Sequence, residues 1–150
     1  IWNRIALDKY AYETPLKPGA DDFLKYLKEH HIKTGIATSN SRLLLDVFLK
    51  ERHLEPYIDA VTTSCDVNKG KPEPDVYLKT AEKLQVKPED CLVFEDIPMG
   101  ILAGKRAGMQ VCAMEDNYSI HLTAEKKALA DYYITDFRQV LDHTYEDLRK

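Results

Sequence analysis

Cys91-Leu92-Val93-Phe94-Glu95-Asp96-Ile97-Pro98-Met99-Gly100-Ile101 is the stretch on which the fold of this chain turns. Its first four residues form an apolar run, long enough for a buried strand and too short for a helix. Two acids follow at once, and Pro98 then opens a helical pattern that reaches Ala107. The same alternation recurs on both sides. Downstream come a strand at Gln110-Val111-Cys112-Ala113, a weaker helix from about Leu122 to Ala130, a strand at Tyr132-Tyr133-Ile134 and a terminal helix from Asp136. Upstream come a helix from Pro74 to Leu84, a strand near Ala60-Val61-Thr62-Thr63 and a helix from about Ser41 to His53 with Leu44, Leu45, Phe48 and Leu49 on one side. A strand at Thr34-Gly35-Ile36-Ala37 and a first helix opened by Pro18-Gly19, with Phe23, Leu24 and Leu27 at helical spacing, complete the pattern. Near-continuous apolar strands alternating with helices of about ten residues predict an α/β fold, a parallel sheet with helices on both faces.

Composition bounds the rest. At 150 residues one domain is expected, large enough to remove about two thirds of its unfolded surface from water without staples. Three cysteines, Cys65, Cys91 and Cys112, show no CxxC spacing and are odd in number, which predicts a reducing, cytoplasmic setting. No stretch approaches the roughly 18 apolar residues of a membrane span, and no secretory leader is recognisable, so no membrane partner is expected. A net charge of −4, with 21 Lys+Arg against 25 Asp+Glu interspersed, lacks the basic stripe of a nucleic-acid binder.

In a parallel α/β sheet the chemistry sits beyond the carboxyl ends of the strands. After the Gly35–Ala37 run come Thr38, Ser39, Asn40 and Ser41, hydroxyls and an amide at a helix start, where free N–H groups and the helix dipole favour an anion. A plain helix cap would use the same residues. After the next strand comes Gly70-Lys71-Pro72-Glu73-Pro74-Asp75, in which two prolines fix the backbone on either side of Glu73 and hold Lys71 ahead of a helix; the alternative is an ordinary solvated lysine. After the third, Glu95 and Asp96 are adjacent carboxylates that repel each other unless a cation lies between them, and oxygen donors suit Mg²⁺. For Asp96 alone, helix capping is the competing role. Together, an anion nest, a lysine and a paired carboxylate on one rim make a site for a phosphoryl group and its Mg²⁺.

The segments Gly35-Ile36-Ala37-Thr38-Ser39-Asn40, Gly70-Lys71-Pro72-Glu73-Pro74-Asp75-Val76-Tyr77-Leu78, and Cys91 to Ile101 running on to Ala107-Gly108-Met109 resemble motifs two, three and four of the haloacid dehalogenase (HAD) superfamily. The closest resemblance within it is to the β-phosphoglucomutase and sugar-phosphate phosphatase branch. The resemblance implies a Rossmann-like core over residues 15–150, with residues 1–14, including Ile5, Leu7, Tyr10 and Tyr12, as the end of a helical cap and its linker. It implies that Thr38 binds the phosphoryl oxygen, that Ser39 and Asn40 add contacts, that Lys71 neutralises phosphate and nucleophile charge, and that Glu95 and Asp96 hold Mg²⁺. The substrate implied is a small phosphorylated metabolite.

The superfamily also carries an aspartate nucleophile in a D-x-D motif at the end of a central first strand, and no D-x-D occurs in these 150 residues. That strand, expected between the ones ending at Ala37 and Phe94, is absent together with most of the cap. Three readings follow. In the first, the chain is part of a HAD phosphatase or phosphomutase whose nucleophile lies in an N-terminal segment or a second chain. In the second it is a non-catalytic phosphate-binding remnant. In the third it is a receiver-like signalling domain, whose acid pair would come near the start of the chain rather than after the third strand. Ser41, where sugar-phosphate mutases tend to carry a basic residue, leans toward a phosphatase.

Overall fold

The computed structural model describes residues 15–149. Along them run α1 (Ala20–Glu29), β1 (Gly35–Thr38), α2 (Arg42–Glu51), β2 (Ala60–Thr63), α3 (Asp75–Leu84), β3 (Leu92–Glu95), α4 (Pro98–Arg106), β4 (Gln110–Met114), α5 (Thr123–Leu129), β5 (Tyr132–Ile134), α6 (Arg138–Leu141) and β6 (Glu146–Asp147). Local chemistry sets several of the boundaries. Ser41 caps α2, its Oγ accepting from the Leu44 amide at 3.3 Å. At the far end of α3, Gln85 takes a left-handed conformation (φ 56°) and stops the helix.

β1 and β2 pair in parallel from Gly35↔Ala60 to Thr38↔Thr63. A second sheet runs β3-β4-β5-β6, parallel through β5, with Glu95 opposite Ala113 and Met114 opposite Ile134. Among the described residues β1 and β3 are not hydrogen-bonded to each other, and the interruption falls where the sequence leads one to expect a further strand.

Side chains alternate across the second sheet as the pleat requires. Val93, Val111, Ala113 and Tyr133 pack with Val76, Tyr77, Ala81 and Ile101 of α3 and α4. Cys112, Met114 and Ile134 face the other way, with Phe94, Tyr132, Phe137 and Val140 against them. Phe23 of α1 closes this second layer, its ring 5.3 Å from Phe94 and 5.2 Å from Phe137. Such aromatic pairs add about 0.5–1.5 kcal/mol each beyond the area they bury. Around β1 and β2 a separate cluster forms from Leu45, Leu49 and Leu54 with Ile36, Val61 and Leu24. Helices therefore cover both faces, as predicted.

Two expectations are corrected at the C-terminal end. The terminal helix predicted from Asp136 is only the short α6, because Asp142 accepts from the Thr144 amide at 3.1 Å and His143 turns to φ 60°, a local bond that competes with further helix. The chain then returns as β6, antiparallel to β5, so the sheet is not wholly parallel. Ahead of α5, residues Asn117–Leu122 form a 3₁₀ segment capped by Asp116, which the periodicity did not disclose. No helix among the described residues is long and apolar enough to cross a membrane. The three cysteines are free: Cys112 is buried and its thiol is pushed up to about 12 by that burial, Cys91 is half-buried, and Cys65 is exposed.

Candidate active site

The carboxyl ends of β1, β2 and β3 gather the loops that the sequence singles out. Lys71 comes from the loop between β2 and α3, where the Lys71–Pro72 peptide is cis. Its side chain crosses the interruption between the two sheets: Nζ lies 3.5 Å from the Ala37 carbonyl oxygen on β1 and is hydrogen-bonded to Glu95 Oε1 at the end of β3. Both side chains are 9% exposed, so this ion pair is nearly shielded from water and far less screened than a surface pair. Lys71 also stands 5.0 Å from the centre of the Tyr77 ring.

Glu95 uses both oxygens. Oε1 accepts from Lys71 and from the Tyr77 hydroxyl at 3.2 Å, while Oε2 accepts from the backbone amides of Asp96 at 2.9 Å and Ile97 at 3.2 Å. Burial, reinforced by the negative charge of Glu95, pushes the Tyr77 phenol well above its ordinary range, so it stays a hydrogen-bond donor. Gly100, in the first turn of α4, makes this packing possible: a Cβ there would overlap the Glu95 carboxylate.

Asp96 points elsewhere. Its carboxylate is 39% exposed and faces Lys17 Nζ at 3.7 Å. Burial and the neighbouring Glu95 raise its pKa, and Lys17 opposes the rise. Lys17 also binds Asp116 Oδ2 at 2.7 Å and the Glu115 carbonyl at 3.3 Å, linking the residues that follow β3 and β4. Burial works against ionisation of Asp116, but the bonds from Lys17 and the Tyr118 amide outweigh it and hold that carboxyl below its usual range.

On the β1 side, Thr38 Oγ1 accepts from the Asn40 amide at 3.0 Å, and Ser64 donates to the Ser39 carbonyl at 3.2 Å. The capping role falls to Ser41 alone among the four polar residues here, leaving Thr38 at the strand end itself. Lys71 and Glu95 are thus in direct contact, the residue before Thr38 is joined to Lys71, and the Asp96 carboxylate has Lys17 as its charged neighbour.

Lys17, Tyr77, Asp116, Ser119, Lys126 and Gly100 were not assigned roles from sequence. Asp116 follows β4, so extending the strand-end rule by one strand would have found it. Lys126 lies four residues after Leu122 and three before Leu129, on the apolar stripe of its helix. Lys105 and Arg106 of α4 are both exposed and make surface ion pairs. Lys105 binds both oxygens of Asp131 at 2.8 Å, and Arg106 reaches Glu73 at 3.2 Å and the Pro72 carbonyl at 3.3 Å, so Arg106 braces the Lys71 loop. His30 and His31 are exposed. Ile5, Leu7, Tyr10 and Tyr12, which the resemblance places at the end of the cap, lie outside the described residues, as does Trp2.

The family model of the haloacid dehalogenase-like hydrolases matches residues 1–108. The chain belongs to this family. This HAD chain is 34% identical over 122 residues to the validoxylamine A 7′-phosphate phosphatase of Streptomyces hygroscopicus subsp. limoneus, covering 81% of its own length and 55% of that protein. It is 38% identical over 93 residues to the phosphorylated carbohydrates phosphatase of Thermotoga maritima, covering 62% of its own length and 43% of that protein. It therefore spans about half the length of these curated relatives. Among solved structures, a HAD hydrolase of family IA, variant 3, from Entamoeba histolytica superposes with a TM-score of 0.80 at 29% identity, over 92% of this chain and 62% of that one. CbbY from Rhodobacter sphaeroides in complex with phosphate gives 0.80 at 25% identity, over 89% and 60%.

Proposed function

We propose that the complete protein is a Mg²⁺-dependent HAD phosphatase that hydrolyses a small phosphorylated metabolite, a sugar phosphate, through an aspartyl-phosphate intermediate. The nucleophilic aspartate lies outside these 150 residues, in an N-terminal segment or a second chain, and residues 1–14 are the end of a cap. The observation that carries this reading is the position of Lys71, which spans from the β1 carbonyl before Thr38 to Glu95, beside Asp96. A cation held there offsets the repulsion that grows as a carboxylate nucleophile approaches a phosphoryl group. Thr38, with Ser39 and Asn40, receives the phosphoryl oxygens. The attacking carboxylate forms a bond to phosphorus as the bond to the sugar oxygen breaks, the sugar leaves as an alcohol after gaining a proton, and water then releases inorganic phosphate. The three free cysteines support a reducing, cytoplasmic setting.

Asp96 fits Mg²⁺ chemically: a partly exposed hard-oxygen donor whose charge Lys17 only partly offsets at 3.7 Å. Mg²⁺ takes one or two carboxylates and keeps several waters. Among the described residues no group of three or more His, Cys, Asp or Glu gathers as a metal cage, so residues 15–149 would supply part of the coordination only. When bound, the ion supplies positive charge to the phosphoryl oxygens. Glu95, with four bonds already made, would have to release one to join it, and its role here is to hold Lys71.

The test is phosphate release from a panel of sugar phosphates by the full-length protein, with and without EDTA, and by its Asp96→Asn variant. Mg²⁺-dependent release that Asp96→Asn weakens together with Mg²⁺ dependence is expected; full turnover and unchanged Mg²⁺ affinity in that variant would remove the metal assignment. A phosphomutase would instead yield an isomeric sugar phosphate without net phosphate release.

A further inference from the structure

Lys126, on α5, is fully buried, at 0% exposure. A lysine is almost never buried to this degree without partners that repay its desolvation. Its Nζ donates to the Met114 carbonyl at the end of β4, at 2.8 Å, and to Ser119 Oγ at 3.0 Å. Ser119, itself only 4% exposed, donates its hydroxyl proton to the backbone carbonyl of Asp96 at 2.7 Å. A continuous chain of donors thus runs from the lysine of α5, through the serine of the 3₁₀ segment, to the main chain of the exposed carboxylate after β3. On the other side of that carboxylate, Lys17 ties the side chain to Asp116.

We propose that Lys126 is a positioning residue that acts through Ser119 to fix the Asp96 peptide, and so sets the Mg²⁺ affinity of the site without touching the ion. The inference rests on the proposed function, in which Asp96 is the metal-facing carboxylate. The physical reason for a charged donor at this place is directional. Serine has one proton to give; a lysine that donates to its oxygen leaves that proton free to point at Asp96, and the positive charge polarises the hydroxyl toward the carbonyl. A short apolar residue at 126 would let Ser119 rotate toward Met114 and release the turn. Partners one step removed from a metal matter at this scale: losing one typically costs about 10- to 100-fold in metal affinity.

The experiment measures Mg²⁺ binding to the full-length protein by competition against Mn²⁺ followed by EPR, independently of turnover. The proteins are wild type, Lys126→Met, Ser119→Ala, the double variant and Asp96→Asn. Lys126→Met and Ser119→Ala should each raise the Mg²⁺ dissociation constant by about tenfold or more. The double variant should be no worse than the weaker-binding single one, and kcat at saturating Mg²⁺ should stay within about threefold of wild type, the mark of an effect confined to metal affinity. Wild-type affinity in Ser119→Ala would overturn the relay, and so would additive effects in the double variant. If Lys126→Met fails to fold, Ser119→Ala decides alone, because it removes one hydroxyl and keeps the bond to Met114. Loss of binding in Asp96→Asn without any change in the relay variants defeats the relay alone; unchanged binding in Asp96→Asn defeats the metal assignment and the relay with it.

Discussion

Glu95 and Asp96 are adjacent in the chain and chemically alike, yet the fold gives them different work. Glu95 is buried and fully bonded, and Asp96 is partly exposed with Lys17 as its charged neighbour. The sequence pointed to both as a pair because two carboxylates at a strand end need a cation; the structure adds that Lys71 is such a cation for Glu95. In the proposed mechanism, removing it strips the positive charge from the point where two anions must meet, a term worth about 3–4 kcal/mol. Lys71→Ala in the full-length protein should therefore lower kcat at least a hundredfold, measured by steady-state phosphate release; a rise in KM with kcat intact would make Lys71 a ground-state binder instead. Gly100 gives a second expectation. In an ordinary helix, Gly→Ala gains about 1 kcal/mol. At this position the added methyl collides with the Glu95 carboxylate, so Gly100→Ala should lower activity and fail to raise Tm, both measurable on one preparation.

Among the elements, the segment between β4 and α5 departs from what periodicity predicts and touches the exposed carboxylate's main chain through Ser119. Its cap, Asp116, is held below the usual carboxylate range by Lys17 and the Tyr118 amide against the opposing effect of burial. A carboxyl with a lowered folded pKa contributes stability that is present above its unfolded pKa, about 3.9, and is lost as the pH falls through the lowered value. Urea midpoints should therefore fall less steeply for Asp116→Asn than for wild type as pH drops below about 4, with the variant already weaker at pH 7. Parallel acid profiles would show that the Lys17 contact adds nothing in solution. At α2 the competing readings of the Thr38–Ser41 cluster divide by position: Ser41 caps the helix, and Thr38 remains at the end of its strand.

For the whole molecule, the interruption between β1 and β3 is bridged, among the described residues, by the Lys71 side chain from Ala37 to Glu95. Neither candidate carboxylate is placed to attack phosphorus: Glu95 is spent on four hydrogen bonds and Asp96 is proposed for the ion. These 150 residues expressed alone should release no phosphate from sugar phosphates or p-nitrophenyl phosphate, whereas the full-length protein should; turnover by the short chain that is lost in Lys71→Ala would require a nucleophile within it. Much of this architecture was legible in the sequence because it depends on local order. Apolar runs of strand length alternating with amphipathic stretches dictate an α/β layer structure, and polar residues at successive strand ends must then converge on one rim, which brought Thr38, Lys71, Glu95 and Asp96 into view. The terminal strand β6 escaped because a two-residue antiparallel pairing has no periodicity to detect and depends on an exposed edge of β5 being present. Lys17, Ser119 and Lys126 escaped for a related reason. A lysine in a sequence reads as solvated, and only the packing of α5 and the 3₁₀ segment over the end of β4 removes its water and leaves the Ser119 hydroxyl and the Met114 carbonyl as its partners. Sequence determined which chemistry the rim could hold; the division of labour between its two carboxylates was decided by tertiary structure, because desolvation and hydrogen-bond geometry exist only once distant segments meet.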